Sequence, residues 1–191
     1  MSKRECDKPA RGFPRPPDRP VIGSGSFFER KSETMTEFPV RHFLSDEAVA
    51  HVGEGLIART LPREEWTHEA HLAATTYLLL RHAEIDLDVE LPGLIRRYNE
   101  SVGGVNDDTQ GYHDTITRAY LRGVRLFLGK ADADRPIHEL ANELLLSPMG
   151  RRDWPLRFWS KERLMSVEAR RTFVSPDLAA LPEHCDEGEG C

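Results

Sequence analysis

The stretch EWTHEAHLAATTYLLLRH, residues 65–82, constrains the fold most, because its apolar residues recur with the period of a helix and show no strand alternation. At about 100° per residue, Leu72, Leu78 and Leu79 share one face with His68, His71, Thr75 and His82, while Arg81, Glu84 and Glu69 point the other way. A helix that turns its leucines inward therefore turns His68 and His71 inward with them. Glu69 reads as a surface residue. The apolar run Leu72 to Leu80 is interrupted by Thr75 and Thr76 and is far too short to span a bilayer.

The rest of the central region has the same period. Ser45 before Asp46 and Glu47 starts a first helix with Val49, Val52, Leu56 and Ile57 on one side. Pro62 ends the connection, and the second helix begins between Pro62 and Thr67 and runs to about Ala83. A third covers 91–101, with Leu91, Leu94, Ile95 and Tyr98 on one face. VGGVNDDTQG is a loop, after which Asp108 or Thr109 caps a fourth helix through about Leu128. Pro136 opens a fifth that Pro148 stops, and Ser160 and Ser166 cap two short ones. No repeat is visible. The expected fold class is all-α: a single compact helical bundle of about five to seven helices with disordered tails.

Residues 1–36 are dominated by Pro, Gly, Ser and charge, the composition of a disordered tail, and Met35 is a candidate later start codon. Residues 183–191 form an acidic, Gly-rich stretch expected to be mobile. The helical domain is therefore expected at 37–182. A net charge of -6 argues against nucleic acid or anionic membrane as partners. Arginine doublets such as Arg151-Arg152 read as solvated helix faces. The cysteines, Cys6, Cys185 and Cys191, lie outside the helical region with no zinc-knuckle spacing, and no secretory signal is evident. The expected location is the cytoplasm.

On the fourth helix, His113 falls within the apolar arc that includes Ile116, Thr117, Tyr120 and Val124. His68 and His71, one turn apart, and His113 from a neighbouring helix then form a candidate set of three imidazoles for one divalent transition metal: Zn, Fe, Ni or Cu. Three protein ligands leave a position for water or a small-molecule substrate, the pattern of catalytic sites. HEAH itself is not a zincin motif, since its histidines are not at i and i+4. Tyr112, Thr117, Asn99 and Trp66 are candidates to contact substrate or orient the ligands, although Thr117 is expected to bond back to the carbonyl of His113. His82 is expected to be a helix-end cation or a packed group. The competing expectation is hydrogen-bonded core histidines in a non-catalytic binding or interaction domain. Trp154, Phe158 and Trp159, interleaved with Arg157, Lys161 and Arg163, read as a helix-packing segment.

WTHEAHL, RRYN, GYHDTIT and FWSKERLMSVEAR resemble an uncharacterised family of small bacterial proteins with a WTHxxHL, RRYN, GYHxTxT pattern, over about residues 43 to 182. That resemblance implies a domain boundary and no reaction. A looser analogy, without shared motifs, is to DinB-type bundles that hold a metal with three histidines. The function expected from the residues is metal binding, with hydrolytic or oxidative chemistry on a small molecule if the protein is an enzyme.

Overall fold

Hydroxyl side chains set where four of the helices begin. Ser45 accepts from the Ala48 amide at 3.4 Å to start α1 (Asp46–Ala58), and Thr67 accepts from Ala70 at 3.3 Å to start α2 (His68–Arg81). Ser160 and Ser166 do the same for α6 (Lys161–Leu164) and α7 (Val167–Arg171). Each such cap satisfies an amide the helix cannot, a contribution of about 1 kcal/mol. The expected starts at Ser45, Ser160 and Ser166 are all present. The computed structural model describes residues 41–132 and 134–182, and among these it contains seven α-helices and no strand. The expected tails and Met35 lie outside the described residues.

Two helix starts differ from expectation. α3 (Leu87–Ser101) begins at Leu87 and not Leu91, capped by Asp86, and carries Pro92 inside it. Proline removes the amide that would bond the Asp88 carbonyl. Arg118 Nη1, from the helix after the next loop, donates to that carbonyl instead, at 3.3 Å. The cost of an internal proline is thus partly offset by a neighbouring helix.

α4 (Asp114–Leu128) begins later than Asp108 or Thr109. The Asp107 carboxylate accepts from the Thr109 amide and hydroxyl at 2.8 Å and from the Gln110 amide at 3.0 Å, closing a local turn that competes with helix. Gly111 follows at φ 76°, a left-handed conformation that no helix continues through. His113 therefore precedes α4 and does not lie within it.

α2 packs against α1, α4 and α5 (Ile137–Leu146). Ala70, Ala73 and Ala74 are fully buried and let the neighbouring backbones come close. One apolar cluster joins Leu56, Leu78, Leu91, Ile95 and Tyr98 of α1, α2 and α3. A second gathers Trp154, Phe158, Trp159, Leu164 and Ala169 around Ala119 of α4. The aromatic segment is thus core, as its packing reading predicts, and Trp159 Nε1 donates to the Val174 carbonyl at 3.0 Å. Each large side chain taken out of water stabilises the domain by roughly 1.5–3 kcal/mol. Among the described residues no helix is long and apolar enough to cross a membrane.

Candidate functional site

Residues of α1, α2, α3 and α4, with Trp66, Thr67 and Arg152 from the connecting segments, line a partly open cavity of about 550 Å³. Leu56, Leu72, Leu91, Ile95 and Ile116 supply apolar wall, Trp66 and Tyr120 supply aromatic wall, and His68, His71, Thr75, Thr117 and Arg152 supply polar groups. The inward placement of His68 and His71, read from the wheel, is what puts both on this wall.

Each imidazole is held by a backbone carbonyl. His68 Nε2 lies 2.8 Å from the Gly150 carbonyl, and His71 Nδ1 lies 2.6 Å from the Thr67 carbonyl. A carbonyl only accepts, so the proton sits on Nε2 of His68 and on Nδ1 of His71. The remaining nitrogens, His68 Nδ1 and His71 Nε2, carry lone pairs and bond to none of the described residues. Neither is shut inside protein. Among the described residues, the buried side-chain nitrogen or oxygen without a partner is Trp66 Nε1. The two lone pairs therefore touch open space, and the space their rings line is the cavity.

The surroundings fix both rings. Trp66 stacks on His71 with centroids 3.8 Å apart and planes 31° from parallel, and Tyr98 backs Trp66 at 5.0 Å. Tyr120 meets His68 edge-on at 5.3 Å and is itself tied by a 2.7 Å hydroxyl bond to the Arg151 carbonyl. The Gly150 carbonyl reaches His68 because the turn Pro148–Gly150 lies tight on the end of α5. A Cβ at Gly150 would sit 2.6 Å from the Leu145 carbonyl oxygen.

Burial holds the His71 pKa down at about 4, against the opposing pull of the Thr67 carbonyl, and nearby His68 and Arg152 lower it further. Burial likewise lowers that of His68. Both rings are neutral at pH 7. Glu69 corrects the surface expectation: it is 6% exposed and pairs with Arg152 at 3.1 Å. Burial pushes the Glu69 pKa up, but its own backbone amide, Thr67 and Arg152 outweigh that and hold the carboxyl ionised. The pair places Arg152 on the cavity wall, a position that an Arg-Arg doublet gave no signal for.

His113 is elsewhere. As the N-cap of α4 its Nδ1 accepts from the Ile116 amide at 3.4 Å, while Nε2 donates to the Leu164 carbonyl at 3.0 Å. Both nitrogens are in use and the ring does not line the cavity, so the expected three-imidazole set is not assembled. Among the described residues no group of three or more His, Cys, Asp or Glu side chains is arranged to hold a metal. The wheel misplaced His113 because it assumed a helix that the Asp107 turn and Gly111 prevent.

Of the other candidates, Trp66 and Thr117 line the cavity, and Tyr112 and Asn99 do not. The Thr117 hydroxyl bonds to none of the described residues, contrary to the expected bond back to His113; the backbone amide of Thr117 makes that contact at 3.0 Å. Thr75 makes the back-bond, to the His71 carbonyl at 2.8 Å. Tyr112 donates to Asp114 at 2.8 Å under the Arg96 guanidinium, and Asn99 donates to Asn106 at 3.0 Å to brace the loop before α4. His82 ends α2 between Glu84 at 2.8 Å and Glu54 at 3.0 Å, chiefly the former raising its pKa, which fits a helix-end cation.

Comparison with family models, curated proteins and solved structures finds no match for this chain. What the fold and site define is a class only: an all-helical domain with an apolar cavity and two neutral imidazoles on its wall.

Proposed function

We propose that this domain binds a small, largely apolar molecule in the cavity between α2, α3 and α4. The observation that carries the reading is the pair of imidazoles in that cavity, each fixed in one tautomer with its lone pair left without a protein partner. Small-molecule sites have this make-up: mostly apolar lining, a few fixed polar groups, and a volume of roughly 300–1,000 Å³. Core histidines that served packing alone would have both nitrogens satisfied, as those of His113 are.

Toluene tests the reading, followed by NMR of the methyl groups of Leu56, Leu72, Leu91, Ile95 and Ile116. Saturable shifts of these methyls that vanish when Thr117→Trp fills the cavity are expected. Shifts absent from the lining methyls, or equal in the filled variant, would overturn it.

A second reading keeps the metal. Ring N–H groups donated to backbone carbonyls are the usual support of metal-bound histidines, and both imidazoles have it. Zn, Fe, Ni or Cu held by His68 and His71 alone has one protein ligand fewer than catalytic zinc sites use, so the apolar site stands first. In this reading the metal supplies Lewis-acid or redox chemistry to a bound small molecule. Cobalt(II) titration distinguishes the two: a visible absorption band that His68→Ala abolishes favours coordination, and its absence from the wild type rejects it.

A further inference from the structure

We infer that the molecule bound in this cavity carries a neutral amino group, as in a primary carboxamide or an amino-heterocycle, on an apolar body. The inference rests on reading the cavity as a small-molecule site and goes on to its ligand chemistry.

Hydrogen-bond direction carries the argument. His68 Nδ1 and His71 Nε2 only accept, because each ring spends its one proton on a backbone carbonyl. Turning either ring to present N–H would leave a lone pair facing that carbonyl. Positions i and i+3 place the two acceptors one helical turn apart on one wall. Carboxylates, phosphates, ketones and ethers have nothing to donate to them. A hydroxyl has one proton and satisfies one ring. An –NH2 group has two and satisfies both.

Trp66 adds no donor to the cavity: its ring lies against His71 at 3.8 Å and its Nε1–H is closed off from the open space. The polar requirement of the site is therefore for two donors. An ammonium or guanidinium would add positive charge to a wall that already holds Arg152, paired with Glu69 at 3.1 Å. A neutral head meets no such opposition. The apolar walls take the remainder of the molecule.

Four probes of similar shape test this on the full chain: benzamide, N,N-dimethylbenzamide, benzoate and toluene. Affinities come from NMR titration. Benzamide is expected to bind at least about tenfold tighter than the dimethyl amide or toluene. His68→Phe, checked for folding by thermal unfolding, should narrow the benzamide-to-toluene ratio. If toluene binds as well as benzamide, the ligand class is wrong while the cavity reading survives. If benzoate binds best, Arg152 and not the imidazoles selects the ligand, which also overturns the inference. If none of the four binds, both readings fall.

Discussion

Replacing His71 by Asn should flatten the acid sensitivity of the fold by an amount that follows from one buried ring. Asn has an N–H where His has Nδ1, so it retains the bond to the Thr67 carbonyl and does not titrate. In wild type the folded-state pKa is depressed from 6.5 to about 4, so below pH 6.5 the unfolded chain takes up a proton that the folded chain refuses. Stability from this group is thus complete above pH 6.5 and is lost as pH falls toward 4, at 1.36 kcal/mol per pH unit. Between pH 7 and pH 5 the loss comes to about 2 kcal/mol. Urea unfolding of both proteins at the two pH values gives the double difference directly. His68 and His113, which titrate in the same direction, and His82, which opposes them, are present in both proteins and largely cancel. Equal slopes for wild type and variant would refute the claim that His71 is held neutral by burial.

Gly150→Ala should destabilise the fold by about 1–3 kcal/mol, read by urea unfolding, because its Cβ would press on the Leu145 carbonyl. The same change should shift the ring signals of His68, whose partner carbonyl moves. His113→Ala should cost about 1–3 kcal/mol by removing a cap and the bond to Leu164, while leaving the toluene-induced methyl shifts intact. His82 has a raised folded pKa, so its carboxylate contacts stabilise the fold below pH 6.5 and are lost as pH rises through that higher value. An NMR titration midpoint for the His82 ring above 6.5 checks the sign.

Most helices are legible from the sequence because hydroxyl caps and prolines act within a few residues of where they stand. Ser45, Ser160, Ser166, Pro136 and Pro148 needed no tertiary information. The site is half legible. His68 and His71 could be placed because α2 is regular through both, and a wheel is valid inside a regular helix. His113 could not, since a capping imidazole is rare and the Asp107 turn outcompetes helix by local bonds that a periodicity count does not weigh. Gly111 was the available signal. Arg152 and Glu69 were out of reach: their pairing spans 83 residues of chain, and only the packed fold brings them together.

The lone pair that selects the ligand is the same one a proton would occupy, which ties affinity to pH. A donor bound to His71 Nε2 competes with protonation there, so affinity falls only where the folded ring begins to protonate. With the His71 pKa at about 4, benzamide affinity in His68→Gln, which removes the second titrating ring and keeps an N–H for the Gly150 carbonyl, should be level from pH 7 to pH 5 and weaken below, until acid unfolding intervenes. A ring of ordinary pKa would instead lose affinity roughly tenfold per pH unit below about 6.5. Isothermal titration of benzamide at pH 7, 6 and 5 separates the two. A steady decline across that range would mean the imidazole is solvated, and the cavity would then lack the fixed acceptors on which its selectivity depends. Burial makes this fold acid-sensitive, and the same burial keeps the acceptors available at neutral pH.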